Sequence, residues 1–132
     1  MSVTKANRIL APILLIEDEP SVSAFVRTAL ERRGYRVVQA ATGAEGLKEL
    51  STETYAGVIS DIRMPGDING ADVHKWIQTH RPELSNRIIL ISGDTANSET
   101  QSLLSDSTTP CIEKPFRVQH LISTAEMTFG KP

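Results

Sequence analysis

Acidic, hydroxyl and amine side chains stand at the ends of separate apolar runs in this sequence of 132 residues. Glu17 and Asp18 follow the first run, Asp61 ends the third, Ser92 ends the fourth and Lys114 follows the last. If these runs are parallel strands of one sheet, their carboxyl ends lie at one edge, where ligands bind in open α/β sheets. We therefore expect these side chains to converge on one site.

Three carboxylates at one edge of a sheet require either a cation or a raised pKa. Two unit charges 4 Å apart repel by roughly 4 kcal/mol at an effective dielectric constant near 20. Mg²⁺, or Mn²⁺, relieves this repulsion with oxygen ligands, and Mg²⁺ commonly binds one or two carboxylates together with phosphate. With the metal in place, Asp61 could act as a nucleophile that forms an aspartyl phosphate, while Ser92 and Lys114 hold the phosphoryl oxygens.

Each of these residues also has an ordinary structural explanation. A single acid at a strand end, such as Asp61, is usually just solvated, and Glu17 and Asp18 could cap the first helix. Ser92 could belong to a turn, and Lys114 could be a surface charge. The joint arrangement is harder to explain in this way, and it favours the cation site.

Cysteine and histidine usage indicates neither a disulfide framework nor a zinc site. Cys111 is the only cysteine, so no internal disulfide can form, which favours cytosolic conditions. His74, His80 and His120 are scattered without zinc-ligand spacing, and we expect all three to lie at the surface.

The composition predicts one globular cytoplasmic domain that binds neither nucleic acid nor a membrane. The chain is 39% hydrophobic and 23% charged, and its net charge of −2 offers no basic surface for nucleic acid. The longest apolar run, residues 9–16, is too short to cross a membrane, and no signal-peptide cleavage site follows it.

Apolar runs alternate with helical patterns five times along the chain, which predicts parallel β/α units with helices on both faces of one sheet. Thr42 and Glu45 have the spacing of a capping box. We expect residues 1–8 to be a leader or linker, 9–129 the domain and 130–132 a tail. The predicted strands cover 12–16, 36–40, 56–61, 87–92 and 111–113, and the predicted helices cover 21–33, 42–50, 71–80, 97–105 and 117–129.

The chain resembles the receiver domain of two-component response regulators across about residues 9–129. The resemblance implies a single-domain, flavodoxin-like (CheY-like) α/β fold, a three-layer sandwich with five helices and a five-stranded parallel sheet in the order 2-1-3-4-5. The matching motifs, in chain order, are ILLIEDEP (13–20), DIRMPG (61–66), NG (69–70), ISGD (91–94) and EKPF (113–116).

The resemblance implies roles for the acids and for one backbone group. Asp61 would be the phospho-acceptor, and Glu17 and Asp18 would be the acidic metal pair. Arg63 would lend its backbone carbonyl to the metal.

It also implies the residues that respond to the phosphoryl group. Ser92 would be the hydroxyl switch, and Lys114 would be the family's lysine, followed by a cis peptide to Pro115. Arg63 and Asp94 would flank the phosphoryl path and tune the lifetime of the aspartyl phosphate.

Two features depart from the common receiver pattern. Cys111 stands three residues before Lys114, where many receivers carry a Tyr or Phe that swings inward on phosphorylation. Because cysteine has no aromatic ring, output could pass through loop and helix shifts instead. The loop MPGDING (64–70) is one residue longer than the common version. Residues 93–116 are similar to receivers attached to hybrid sensor kinases.

The resulting expectation is a signalling domain whose only chemistry is its own phosphorylation and dephosphorylation. Its partner would be a histidine kinase or a phosphotransfer protein, its downstream target is open, and it would be a monomer or weak homodimer. Phosphorylation would change partner affinity near residues 97–105 and 111–113. Two alternatives remain, a phosphorylation-independent binding module and a magnesium-dependent phosphohydrolase. The latter lacks a second acid two residues after Asp61.

Overall fold

A computed structural model of the protein describes residues 11–93 and 108–132. The strands are β1 Ile13–Ile16, β2 Val37–Ala40, β3 Gly57–Asp61, β4 Ile88–Ser92 and β5 Cys111–Glu113. Within the described ranges the α-helices are α1 Pro20–Arg32, α2 Gly43–Thr52, α3 Gly70–His80 and α4 Val118–Phe129, with a 3₁₀ turn at Pro82–Leu84. The predicted helix over 97–105 lies outside the described residues.

The five strands form one parallel sheet in the order β2-β1-β3-β4-β5. Ile16 pairs with Ser60, Asp61 with Ile91, and Ser92 with Glu113. The carboxyl ends of β1, β3, β4 and β5 therefore reach the same edge. The predicted flavodoxin-like sheet is confirmed.

The central strands are mostly apolar, with polar residues only toward the carboxyl ends of β3 and β4, because helices cover both faces of the sheet. Every residue of β1, β3 and β4 is buried. Successive residues of β1 alternate between two cores, since side chains along a strand point to opposite faces. Ile13 and Leu15 pack with α1 and α4, whereas Leu14 and Ile16 pack with α2 and α3.

Side-chain caps define the starts of α2 and α3. Thr42 Oγ1 accepts a hydrogen bond from Glu45 N at 3.1 Å, but the Glu45 carboxylate accepts from Ala41 N, not from Thr42 N. The predicted capping box at α2 is thus half formed. A complete one begins α3, where Asn69 and Asp72 exchange side-chain-to-backbone bonds of 3.0 Å each.

Gly70 allows α3 to begin directly against the end of β3. A Cβ atom at this position would lie 2.4 Å from the carbonyl oxygen of Asp61 and 2.7 Å from Ile62 Cα. Gly70 N–H donates to Ile62 O at 2.8 Å. The loop after Asp61 is therefore closed by a contact between backbones that tolerates no side chain.

His74 is buried, so the expectation that it lies at the surface is wrong. It is 5% exposed and belongs to the inward stripe of α3 with Val73 and Ile77. Its Nε2 lies 2.9 Å from Thr109 Oγ1, and burial lowers its pKa below the usual value. Helix periodicity groups residues 70, 73, 74 and 77 on one face, and the packing of α3 in the folded domain turns that face inward.

None of the helices in the described ranges is both long and apolar enough to cross a membrane.

Candidate functional site

The Lys114 ammonium lies among three carboxylates at the carboxyl edge of the sheet. Its Nζ is 2.8 Å from Asp61 Oδ2, 2.9 Å from Glu17 Oε1 and 3.1 Å from Glu19 Oε1. The three acids each offer an oxygen within 4.8 Å of the others. We call these four residues the Lys114 cluster. They come from the ends of β3 and β5 and from the segment between β1 and α1.

Backbone contacts hold Lys114 in place. Its N–H donates to Ser92 O at 2.7 Å, which ties the end of β5 to the end of β4. The peptide bond from Lys114 to Pro115 is cis, as the resemblance implies. From the end of β5, the Lys114 side chain extends past the end of β4 to Asp61 at the end of β3.

Exposure increases from the base of the Lys114 cluster to its mouth. The side chains of Glu17 and Asp61 are 0% and 5% exposed, that of Lys114 is 18% exposed and that of Glu19 is 56% exposed. Glu17 and Asp61 are thus nearly removed from water, whereas Glu19 remains in contact with it.

One ammonium does not balance the buried acids. Burial, a hydrogen bond with Asp61 and repulsion from its charge raise the pKa of Glu17 to about 8, although Lys114 opposes the shift. Glu17 Oε1 is buried and makes no hydrogen bond of acceptable geometry, even though Lys114 Nζ is close to it. A buried pocket in which three acids share one ammonium suits an additional cation.

Lys114 is held in its protonated, positively charged form. Burial alone would lower its pKa, but its contacts with the Asp61, Glu17 and Glu19 carboxylates raise it above the usual value. The ammonium is therefore available to stabilise negative charge next to Asp61.

The first acidic segment brings Glu19 as well as Glu17 beside Lys114, and the role of Asp18 as a metal ligand stays a prediction. Asp18 is half-buried beside Glu17, and its backbone N–H donates to Glu17 Oε2 at 3.2 Å. The Glu19 carboxylate, which the sequence reasoning missed, is the one that joins the Lys114 cluster. The run of three acids before Pro20 was the available signal. Glu19 occupies the N-cap of α1, where no side-chain cap forms, so capping does not explain these acids.

The other predicted residues surround this arrangement. Ser92 ends β4 and is 1% exposed. Arg63 is exposed, and its backbone N–H donates to Asp61 Oδ1 at 3.3 Å. Cys111 is half-buried in β5, and burial raises the pKa of its thiol. Asp94 lies outside the described residues.

The loop after β3 is open to solvent at Gly66. Gly66 has φ +97°, a left-handed conformation that favours glycine, and open space surrounds its Cβ position. Asp61 nevertheless keeps its register opposite Ile91 of β4.

Comparisons with known proteins agree with this architecture. The sensor kinase CckA of Brucella abortus is 32% identical over 124 residues, which is 92% of this chain but 13% of that kinase's length. A receiver domain structure from Methanospirillum hungatei is 26% identical with a TM-score of 0.80, covering 91% of this chain and 94% of that one. The response regulator TrrA of Thermotoga maritima, solved in complex with Mg²⁺-BeF, is 30% identical with a TM-score of 0.77, covering 90% and 99%.

A sequence model of the response regulator receiver domain matches residues 13–126. This match covers the whole sheet and all of the described helices except the last three residues of α4. With the acidic cluster at the carboxyl edge, it shows that the chain belongs to the response regulator receiver domain family of two-component systems.

Proposed function

We propose that the domain accepts a phosphoryl group on Asp61 from a phosphohistidine of a histidine kinase or phosphotransfer protein. The observation that carries this proposal is the position of Asp61, whose Oδ2 is 2.8 Å from the Lys114 ammonium in a pocket with two further acids. A carboxylate held beside a cation can act as a nucleophile. The Asp61 side chain is 5% exposed, so it is held in the pocket and away from bulk solvent.

The donor set of the site fits Mg²⁺ or Mn²⁺. Among the residues that the structure describes, it offers carboxylate oxygens and no thiol or imidazole, and these oxygens lie within 4.8 Å of one another. Glu17 and Asp61 would hold the ion, and we retain Asp18 and the Arg63 carbonyl as predicted ligands, whereas the more exposed Glu19 lies at the mouth of the site. When bound, the ion would offset negative charge on the phosphoryl oxygens and on the acids.

The protein's own side chains orient the transfer. Asp61 attacks phosphorus in line with the leaving group, and the Lys114 ammonium donates to a phosphoryl oxygen. The Ser92 hydroxyl, at the end of the neighbouring strand, acts as the switch that moves in response to the negative charge of the phosphoryl group. Burial of Asp61 limits access of water to the acyl phosphate.

Phosphorylation would shift the domain between two states with different partner affinity. Because Cys111 lacks an aromatic ring, we propose that loop and helix shifts near β5 carry the output. Arg63 and Asp94 would tune the lifetime of the aspartyl phosphate. An unchanged dephosphorylation rate after substitution of both would contradict that role.

The test of the proposed function is intact-mass analysis after incubation with acetyl phosphate. We expect one phosphoryl adduct on the wild-type protein with Mg²⁺ and none without it. The Asp61→Asn variant should form no adduct, whereas Asp67→Asn, which alters an exposed acid in the following loop, should react like the wild type. Absence of an adduct with every donor would favour a phosphorylation-independent binding module.

A further inference from the structure

Glu19 is the acid of the Lys114 cluster that faces solvent. Its side chain is 56% exposed, compared with 0% for Glu17 and 5% for Asp61. An acid at a helix N-cap commonly accepts hydrogen bonds from the first N–H groups of the helix, but Glu19 makes no such bond. Its Oε1 accepts instead from Lys114 Nζ at 3.1 Å. The Glu19 carboxylate therefore contacts Lys114 at the mouth of the site and does not cap α1.

A negative charge at the mouth acts on whatever approaches Asp61 from solvent. Repulsion grows with the negative charge of the incoming donor, and it weakens with distance and with salt. Glu19 also shares the ammonium that lies 2.8 Å from Asp61 Oδ2. It therefore affects both the approach of the donor and the charge that Lys114 can offer to it.

We propose that Glu19 sets the preference among phosphoryl donors by disfavouring the more negatively charged ones. This inference rests on the proposed function of Asp61 and assigns the exposed acid a role in it. A dianion such as acetyl phosphate is repelled more than a monoanionic donor such as phosphoramidate, whose phosphorus is bonded to a protonated nitrogen.

The two probe reactions end in the same adduct. With acetyl phosphate, an Asp61 oxygen bonds to phosphorus as the bond from phosphorus to the acetyl oxygen breaks, and acetate leaves with the electron pair. With phosphoramidate, the same bond forms while the phosphorus–nitrogen bond breaks, and the protonated nitrogen leaves as ammonia with the electron pair. Phosphoramidate carries one net negative charge at neutral pH, so the pair of donors isolates the effect of charge.

The experiment measures the rate constant of adduct formation for each donor, with Mg²⁺, and compares their ratio among variants. Glu19→Gln should raise the ratio of acetyl phosphate to phosphoramidate by about two- to fivefold at low salt, as expected for one unit charge several ångströms away in water. Glu19→Lys should raise it further, and Glu19→Asp should stay near the wild type. At about 1 M salt, where the Debye length is near 3 Å, the differences should disappear.

Glu31→Gln is the matched control. It removes the same charge from the exposed far end of α1, roughly 18 Å along the helix from Glu19. An unchanged ratio in Glu19→Gln and Glu19→Lys, or an equal change in Glu31→Gln, would overturn the inference while leaving Asp61 phosphorylation intact. If the wild type formed no adduct with either donor, the proposed function would fail and this inference with it.

Discussion

At the scale of single residues, the positive charge of Lys114 reduces the repulsion among the acids of the site. Its ammonium contacts Glu17, Glu19 and Asp61 within 3.1 Å. The raised pKa of Glu17 shows that this compensation is incomplete. The charge balance of the site is therefore open to a further cation, and loss of Lys114 should make that need greater.

Replacing Lys114 by Met should lower the free energy of unfolding in metal-free buffer by about 1–3 kcal/mol. This is less than the usual cost of breaking a buried ion pair, because Lys114 is partly exposed and Glu17 can take up a proton. Mg²⁺ should then raise the melting temperature of the variant more than that of the wild type. Lys75→Met, at an exposed position of α3, is the control. An equal response of the variant and the wild type to Mg²⁺ would contradict this account.

His74 should make the stability of the domain fall in mild acid. Burial lowers its pKa below the value of about 6.5 that it has in the unfolded chain. As the pH falls below 6.5, the unfolded chain binds a proton that the folded state does not, so the free energy of unfolding decreases. In His74→Gln this contribution is absent, and the decline between pH 7 and 5.5 should be shallower than in the wild type.

The measurement is chemical denaturation at several pH values. Other groups titrate in both proteins, so the difference between their profiles isolates His74. His120→Gln, at an exposed position on α4, should keep the wild-type profile. Parallel profiles for the wild type and His74→Gln would show that His74 binds its proton equally in the folded and unfolded states, which contradicts this account.

At the scale of elements, the start of α3 determines how the end of β3 is held. The Asn69–Asp72 capping box fixes where the helix begins, and Gly70 lets its first turn touch the Asp61 backbone. The acid of the site is thus supported by backbone packing as well as by the ladder between β3 and β4.

Gly70→Ala should destabilise the domain by about 1–3 kcal/mol, as overpacking does in a close-packed interior. The added Cβ meets backbone atoms of Asp61 and Ile62, which cannot rotate away as a side-chain end could. Adduct formation on Asp61 should slow as well, since the end of β3 has to move. Gly93→Ala is the control, because its Cβ would make an ordinary 3.7 Å contact with Lys114 Cδ. Equal denaturation midpoints for the two variants would rule out this role of Gly70.

At the scale of the whole molecule, Arg87 connects the chain end to the sheet. Its guanidinium donates to Ala56 O, just before β3, and to Phe129 O, the last residue of α4, at 2.7 Å for the latter. Tyr35 adds a bond from its hydroxyl to Gly130 O at 2.5 Å. These contacts join segments that are distant in sequence, so α4 is fastened at its carboxyl end.

Arg87→Met should lower the free energy of unfolding by about 1–3 kcal/mol, since it leaves two partly buried carbonyl groups without their charged donor. The comparison is Arg27→Met on α1, whose side chain is 49% exposed in an ion pair with Glu31 and which should change stability by less than about 0.5 kcal/mol. Similar losses in both variants would indicate a general charge effect. Urea denaturation of the two variants distinguishes the outcomes.

The sequence by itself predicted the five strands and the four helices of the described ranges, and it named Glu17, Asp61 and Lys114 as residues that converge. Continuous apolar runs predicted β1, β3 and β4, because strands covered on both faces carry no polar alternation. Asp61, Ser92 and Lys114 stand at the ends of apolar runs. Because parallel strands have their carboxyl ends at one edge of the sheet, the sequence predicted that these residues meet there. Motif order identified the fold, whose sheet order the structure confirms.

Only the tertiary structure decided which acids meet Lys114 and which histidine is buried. The contact between Glu19 and Lys114 joins residues 95 positions apart. Glu19 follows Asp18 directly, and local sequence could not tell which side chain turns toward a lysine that arrives from the opposite end of the chain. His74 was misplaced because its residue type suggested the surface, whereas the packing of α3 turned that face inward. In both cases the direction of a side chain depended on elements that are remote in sequence.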